Sequence, residues 1–555
     1  MRTSVLIPTL AVGATALIAA EPAARACGCF AQPSPVQQVV QAAERIVFAQ
    51  RGPTVEMHVQ VNYDGDAEDF GWLLPVPSVP ELDVGSDAFF TQLDRVTAPR
   101  LGVNFDFSAQ CGFNRGANGN GSGGAVPDAG AGNGNGAESP VVSRQDVGAF
   151  DTVVLDAEDP DAMFEWLTDN EFVVPVGPED DVIQRYLGPG RYFVALKLQV
   201  NRTAGDIQPI VLEFDAGGPM IPITLTQVGA VPDLPVIVHV FGDARAIPRN
   251  YRHTVINEEH IDWFSNGSNY VDVVTEAVDE AEGAHSFVTE FAQPPTALDD
   301  RIAPDWRFGE RSDLEAVTNA AELVRQLQNE SFVFDAKLAS LLRRFVPYPD
   351  RAAEVGLSED AFYDRIFSSL RDSRLEPESI SVDGSAVAAA LWEEIVEPAQ
   401  RAEALVDEFG MLTRLFTTIS PDEMTVDPAF DFNPDLPEVD PTRIANFRLA
   451  CSDRGGFRNE GWLELPDGRR FFTSPQTWRD RAESSRAPFS RRIQAMTLEG
   501  PPQELVDNSD RLTPSDPPSA EGGGGCQSVP LDAGAPLLLV ALGGLALGPR
   551  RRSQR

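Results

Sequence analysis

The chain has 555 residues, with 84 Asp and Glu against 44 Lys and Arg, for a formal net charge of −40. Its length allows about three or four domains, and a hydrophobic content of 42% can fill a large core, so wholesale disorder is excluded. The acidity argues against a nucleic-acid partner, which needs a basic face, and against retention by anionic lipid headgroups. Lys197 and Lys337 are the lysines among the basic residues, a skew that reads as Arg codon choice in a GC-rich genome.

In chain order, residues 1–26 read as an export signal. Arg2 gives a positive start, Val5 to Ala20 carries no charge, and Ala24-Arg25-Ala26 fits the small-x-small cleavage rule. Cleavage there makes Cys27 the first mature residue. Arg25, and the lack of Leu at position 24, depart from the lipoprotein pattern.

Residues 27–111 read as β-rich. Thr54 to Tyr63 alternates, with Val55, Met57, Val59 and Val61 on one side and Glu56, His58, Gln60 and Asn62 on the other. That pattern predicts a half-buried strand with one wet face. Ile46 to Ala49 before it, with Gly52-Pro53 between, predicts a hairpin. Phe70 to Val76 is a further strand, which Pro75 confines to an edge. Gly112 to Gly136 is low-complexity and Gly-rich, so 112–140 reads as a flexible insertion. Its Gly-x-Gly spacings are no dinucleotide fingerprint, because no strand leads in and no helix opens from it.

Residues 141–300 resume the strands. Tyr192 to Val200 and Pro235 to Phe241 are apolar runs, and Pro209 to Phe214 with Ile221 to Thr226 form a hairpin about Gly217-Gly218. The helical segment spans 301–420. Ser312 to Glu315 reads as a capping box, and Leu314, Val317, Ala321, Val324 and Leu327 form a stripe. Ser358 starts another helix, with Phe362, Ile366 and Leu370 on one face. A long helix runs from Ser385 to Thr417 with a kink at Pro398. Strands return in 421–500, with a hairpin at Pro466-Asp467-Gly468. Residues 501–525 read as a tether.

Residues 526–555 read as a sorting or transmembrane tail. Ala533 to Gly548 carries no charge, and Arg550, Arg551, Arg552 and Arg555 follow. Sixteen such residues are slightly short of the ~20 a helix needs to span hydrocarbon, and the arginines would hold that end in the cytoplasm. This tail resembles the myxobacterial C-terminal sorting tag, with Cys526 after glycines, a short apolar segment and terminal arginines. The resemblance implies cleavage or lipidation at Cys526 and display at the cell surface.

Cys27, Cys29, Cys111 and Cys451 are an even set in an exported body and candidate disulfides. A Cys27–Cys29 ring would be very tight, so bridges from each to Cys111 or Cys451 are expected. Such long loops contribute on the order of 4–5 kcal/mol in the chain-entropy account. As a metal pair, Cys27-Gly28-Cys29 lacks its second half.

The candidate metal cluster is His253, Glu258, Glu259, His260 and Asp262. Imidazoles with nearby carboxylates suit zinc, but the spacing is not H-E-x-x-H, and a solvated surface is the plainer expectation. His58 is expected on the wet face of its strand and His239 as a satisfied sheet histidine. Asp64, Asp66, Glu68 and Asp69 look like a calcium loop, yet Asp69 and Pro75 stand where an EF-hand needs Gly and Glu. No nucleophile elbow and no phosphate loop occurs.

The pieces ACGCF at Ala26 to Phe30, AERIVFA at Ala43 to Ala49 and DFGWLLPVPSVPEL at Asp69 to Leu82 resemble a bacterial exported family known as domain of unknown function 2330. GSDAFF at Gly85 to Phe90, TAPR at Thr97 to Arg100 and TRLFTTISPDEMTVDPAF at Thr413 to Phe430 share the likeness. The resemblance implies no activity, cofactor or site residue. The expected fold is α+β, with a β-rich, antiparallel, sandwich-like body and a helical segment at about 312–420. The expected function is a non-catalytic, exported, surface-anchored envelope or interaction protein. It would hold no cofactor, meet the membrane through its C-terminal segment and bind no nucleic acid. The alternative is an extracellular metal-dependent hydrolase centred on His253 and His260.

Overall fold

The computed structural model describes residues 40–64, 71–107, 140–172, 174, 176–199, 207–298, 310–330, 332–451 and 457–516. The signal, the Gly-rich insertion, the candidate calcium loop beyond Asp64, Cys27, Cys29, Cys111, Cys526 and the apolar tail lie outside them. By its contacts the chain divides into Met1–Ser515 and Asp516–Arg555, and the description concerns the first unit.

The alternating segment folds as expected into a hairpin, β1 (Val40–Arg51) with β2 (Thr54–Asp64). Arg51 pairs with Thr54 across Gly52-Pro53, where Gly52 takes φ +64. β3 (Gly71–Val76) carries Pro75 and lies at a sheet edge, where a missing ladder donor costs nothing. β4 (Glu81–Val84) leads to α1 (Asp87–Thr97), capped by the Ser86 side chain on Phe89 N–H and ended before Pro99. β5 (Arg100–Asp106), β6 (Val141–Val147) and β7 (Phe150–Asp156) follow. α2 (Pro160–Asp169) and α3 (Asp181–Gln184) begin on the capping carboxylates of Asp159 and Asp180. β8 (Tyr192–Leu198) and β9 (Ile210–Asp215) are strands as predicted. The expected partner of β9 is not a strand: Ile223–Thr226 is a helical turn, α4. Pro219 and Pro222 remove two ladder donors there.

β10 (Leu234–Gly242), β11 (Arg245–Pro248) and β12 (Arg252–Ile256) lead to α5 (Tyr270–Asp279) and β13 (Ser286–Gln293). The helical segment then runs through α6 (Arg311–Glu315), α7 (Ala320–Asn329), α8 (Ala336–Phe345), α9 (Asp350–Glu354), α10 (Glu359–Tyr363), α11 (Ile366–Ser369), α12 (Gly384–Leu391) and α13 (Glu397–Glu408). Its apolar stripes meet in one core of Leu314, Leu323, Leu327, Leu341, Phe362 and Leu391. The capping box expected at Ser312 is absent, since Glu310 precedes α6 without a side-chain cap. The signal falls one helix later. Asn319 accepts from Glu322 N–H at 3.0 Å, and the Glu322 carboxylate accepts from Thr318 N–H at 3.3 Å. The kink expected at Pro398 is a π-helical turn, Trp392–Val396. Proline cannot donate to the carbonyl four residues back, and that carbonyl, Glu394 O, accepts instead from Gln208 Nε2 at 2.6 Å.

The long helix expected over Ser385 to Thr417 ends at Glu408, because Met411–Ile419 is β14, a buried strand. Gly410 breaks the helix, and the Thr-rich run beyond it suits a pleated surface. β15 (Phe430–Asn433), β16 (Thr442–Cys451), β17 (Phe457–Glu464) and β18 (Arg470–Thr473) follow, the last two joined by the predicted turn with Gly468 at φ +87. α14 (Pro475–Ser484), β19 (Ser490–Ala495) and β20 (Gln503–Asp507) complete the order. β20 lies in the expected tether. It pairs with β19, and the body extends past it.

The class is α+β with a β-rich body. The large sheet has the order β20-β19-β12-β13-β14-β10-β1-β2-β9-β4. Its ladders are antiparallel except β1 with β10 and β12 with β13. A second sheet, β3-β8-β7-β6, stacks on it. Trp72, Leu74, Val154 and Val194 meet Phe48, Met57, Val238 and Leu212 in the shared core, each large side chain contributing roughly 1.5–3 kcal/mol by burial. α2 and α3 cover the outer face of that second sheet. α1 and α13 cover the opposite face of the large sheet, burying Phe89, Phe90, Leu93 and Leu405 against Val47 and Phe241. That is why the face of β2 expected to be wet is buried, with Glu56 4% and His58 1% exposed. A third sheet, β18-β17-β16-β5, packs with α5 and α14 on the β12 to β14 end.

Candidate functional site

The histidine and carboxylate cluster is buried, not solvated, and each member already has partners. His253 on β12 lies between β13 and β19. Thr289 N–H donates to its Nε2 at 3.3 Å, and Nδ1 is 3.0 Å from Gln494 Oε1. That arrangement assigns the proton to Nδ1 and spends the Nε2 lone pair. Burial, then the nearby Arg245 charge, pushes His253 down to about 4. His260 sits in the 3-10 turn Glu258–His260, stacked on Phe489 at 3.9 Å. Its Nδ1 and Nε2 face the carbonyl oxygens of Ala482 and Ala487 at 3.3 and 3.1 Å. A neutral imidazole carries one N–H and donates to one of these carbonyls, and the other carbonyl occupies the direction in which the second nitrogen would ligate.

The carboxylates are engaged as well, although one Asp262 oxygen, Oδ1, is buried without a hydrogen-bond partner. Glu259 binds Arg469 at 2.8 Å and Ser485 at 2.9 Å, and pairs with Thr513. Burial raises its pKa, but the Thr513, Ser485 and Arg469 contacts outweigh it and hold the carboxyl below the usual range. Burial raises Glu258, against the opposing charge of Arg443. Asp262 takes Arg479 Nε at 2.9 Å. Among the described residues no group of three or more His, Cys, Asp or Glu is placed to hold a metal.

A cavity of about 360 Å³ opens beside this cluster, lined by Asp262, Ser265, Asn269, Asp272, Arg479 and Glu483. Arg479 ties Asp262 to Ser265 along it, and Asn269 accepts from Asp262 N–H at 2.8 Å. Much of its polar lining is thus satisfied internally.

A buried polar seam crosses the large sheet. The register places His58, Val47, His239 and Arg414 in one transverse row. Arg414 donates to Glu290 Oε2 at 2.6 Å and Asp94 Oδ1 at 2.7 Å, and Arg45 reaches the other Asp94 oxygen at 3.0 Å. Thr97 Oγ1 gives its proton to Leu93 O at 2.6 Å and so accepts from His239 Nε2 at 3.0 Å. Burial, then the Arg414 charge, holds the His239 pKa well below the ordinary value. No local motif marks these groups, because Arg414 and Asp94 are 320 positions apart. The visible signal was one charge inside each of two apolar runs, TRLFTTI and SFVTEFA.

The loop Asp422 to Pro428 is packed by side chains from the N-terminal half. Tyr186 OH and Thr224 N–H donate to Asp427 at 2.8 and 2.9 Å, Tyr251 OH donates to Val426 O at 2.7 Å, and Asn250 Nδ2 to Asp427 O at 2.7 Å. His285 stacks on Tyr251 at 4.8 Å, with Nε2 2.7 Å from Glu423 O.

These features define an α+β body with a β-rich core. The chain belongs to the family described as "Uncharacterized protein conserved in bacteria (DUF2330)", which matches residues 21–309, just over half of it. No curated protein and no solved structure matches the chain. The family span stops short of the structural unit: β14, from beyond residue 309, lies between β13 and β10, and β19 flanks β12.

Proposed function

We propose that this chain is an exported protein held at the cell envelope by its C-terminal segment, acting by interaction and not by catalysis. The observation that carries the proposal is the pair of ends: an uncharged run with a small-x-small site at Ala24 to Ala26, and an arginine-terminated apolar run from Ala533 to Gly548. The even set Cys27, Cys29, Cys111 and Cys451 suits an oxidising compartment. The net charge of −40 suits a body kept soluble outside the cell. The engaged ring nitrogens of His253 and His260 remove the support for the hydrolase reading. Among the described residues no helix is long and apolar enough to cross a membrane.

Fractionation of cells making the full chain, beside cells making a chain stopped after Asp516, tests this. The full chain should sediment with membranes and resist alkaline wash, and the shortened chain should leave the cell or its membrane. Equal cytosolic recovery of both refutes the proposal.

A further inference from the structure

The cavity of about 360 Å³ beside His260 is walled by three pieces of chain: residues 262–269, the first turn of α5 and the second half of α14. Asn269 locks the first piece, accepting from Asp262 N–H and donating Nδ2 to His260 O, each at 2.8 Å. Asp272 comes from α5, and Arg479 and Glu483 come from successive turns of α14. Asp262 is the buried member, its side chain 9% exposed, and its Oδ1 has no hydrogen-bond partner. A buried acceptor left unmet is costly, so this oxygen calls for a donor from outside the chain. Arg479 does not supply it: Nε goes to the other Asp262 oxygen and the guanidinium also binds Ser265. The Arg479 side chain is 46% exposed, so it can turn aside and open Oδ1 to an entering group. Asp272 and Ser268 make no side-chain hydrogen bond among the described residues.

The lining selects the ligand by charge and by size. Asp262, Asp272 and Glu483 set three carboxylates against the Arg479 guanidinium, so the wall carries two net negative charges. An anion is repelled by that excess, and the guanidinium that would hold it is already bound. An apolar ligand finds, among the described residues, Ala482 as the one apolar side chain of the lining. A bare metal ion is too small, because no group of three or more His, Cys, Asp or Glu among the described residues is placed to hold one. Carboxylates that share a cavity without converging on a point are met by a molecule with some length. Two positive ends match the net charge, and the Arg479 stem with Ala482 gives a short run of methylenes a surface to lie on.

We propose that this cavity binds a short aliphatic diamine, with one ammonium on Asp262 Oδ1 and the other held by Asp272 and Glu483. This goes beyond the envelope reading and stands apart from it, since binding is measured on purified protein wherever the chain resides. The test is calorimetry at low salt on the full chain in a non-ionic detergent, with putrescine as the probe and 1-butylamine and magnesium chloride beside it. Putrescine should bind at one site, about tenfold or more tighter than butylamine. Asp262→Asn and Asp272→Asn should each weaken it about fivefold or more, and Arg479→Gln should tighten it, because the opposing charge is gone. A purely structural role for Arg479 would not move affinity in that direction. Asp272 is exposed, so its variant serves if Asp262→Asn misfolds. Silence with putrescine up to about 10 mM, a range well above ordinary weak binding, overturns the proposal. So does weaker binding in Arg479→Gln. Binding that no variant alters, or that magnesium matches, reports only the diffuse pull of a net charge of −40 and overturns it too.

Discussion

Replacing Arg414 by Met should be the most damaging single polar change in the body. Arg414 and Glu290 are 7% and 1% exposed at the side chain, while Asp94 keeps 26%. Losing the guanidinium leaves Asp94 with Arg45 and water, but strands the Glu290 carboxylate in a dry site. Removing one partner of a buried pair costs about 3–5 kcal/mol, mostly for the charge left behind. Urea unfolding followed by fluorescence should show that loss for Arg414→Met, and the double variant Arg414→Met/Glu290→Gln should recover at least half. A loss under about 1 kcal/mol, typical of an exposed pair, or no recovery in the double variant, refutes the reasoning.

Four further outcomes are expected. Burial raises Glu44 from 4.5 to about 7; a raised carboxyl stabilises the folded state only while protonated, so stability should fall by about 3 kcal/mol between those pH values and Glu44→Gln should flatten that slope, whereas matching pH profiles would contradict it. A chain confined to residues 21–309 lacks β14, leaving β10 and β13 without the strand between them; it should bind hydrophobic dyes and lack a cooperative transition, and a sharp unfolding curve would contradict this. An added Cβ at Gly384 would come within 2.4 Å of Val317 O and 2.5 Å of Leu314 O, so Gly384→Ala should cost roughly 1–3 kcal/mol, and an unchanged melting temperature would argue against the α6–α12 contact. Parallel β5 and β16 place Asp106 opposite Arg448, five residues before Cys111 and three before Cys451, so non-reducing peptide mapping should join Cys451 to Cys111; a link to Cys27 or Cys29 would reject that pairing.

Local signals in the sequence located elements well where a single neighbour decides the outcome. The β1–β2 hairpin needed only alternation and Gly52-Pro53, and the β17–β18 turn only Pro466-Asp467-Gly468. Reading failed where distant chain decides. The polar side of β2 looks wet until α1 and α13 are laid on it. Met411–Ile419 looks like the end of a helix until the large sheet supplies β10 and β13 on either side. The candidate cluster at His253 to Asp262 was legible as a concentration of titratable groups, but its meaning was not. Its partners Arg469, Gln494 and Thr513 lie more than 200 positions away.

Export as proposed above requires that the chain cross the inner membrane and fold outside it. Mass spectrometry of the protein from its own cells, before and after protease treatment of the intact cells, tests this most directly. The first residue should be Cys27, with the folded region between residues 40 and 516 open to external digestion. A chain that keeps Met1, carries reduced Cys451 and stays protected until the cells are broken would contradict the claim.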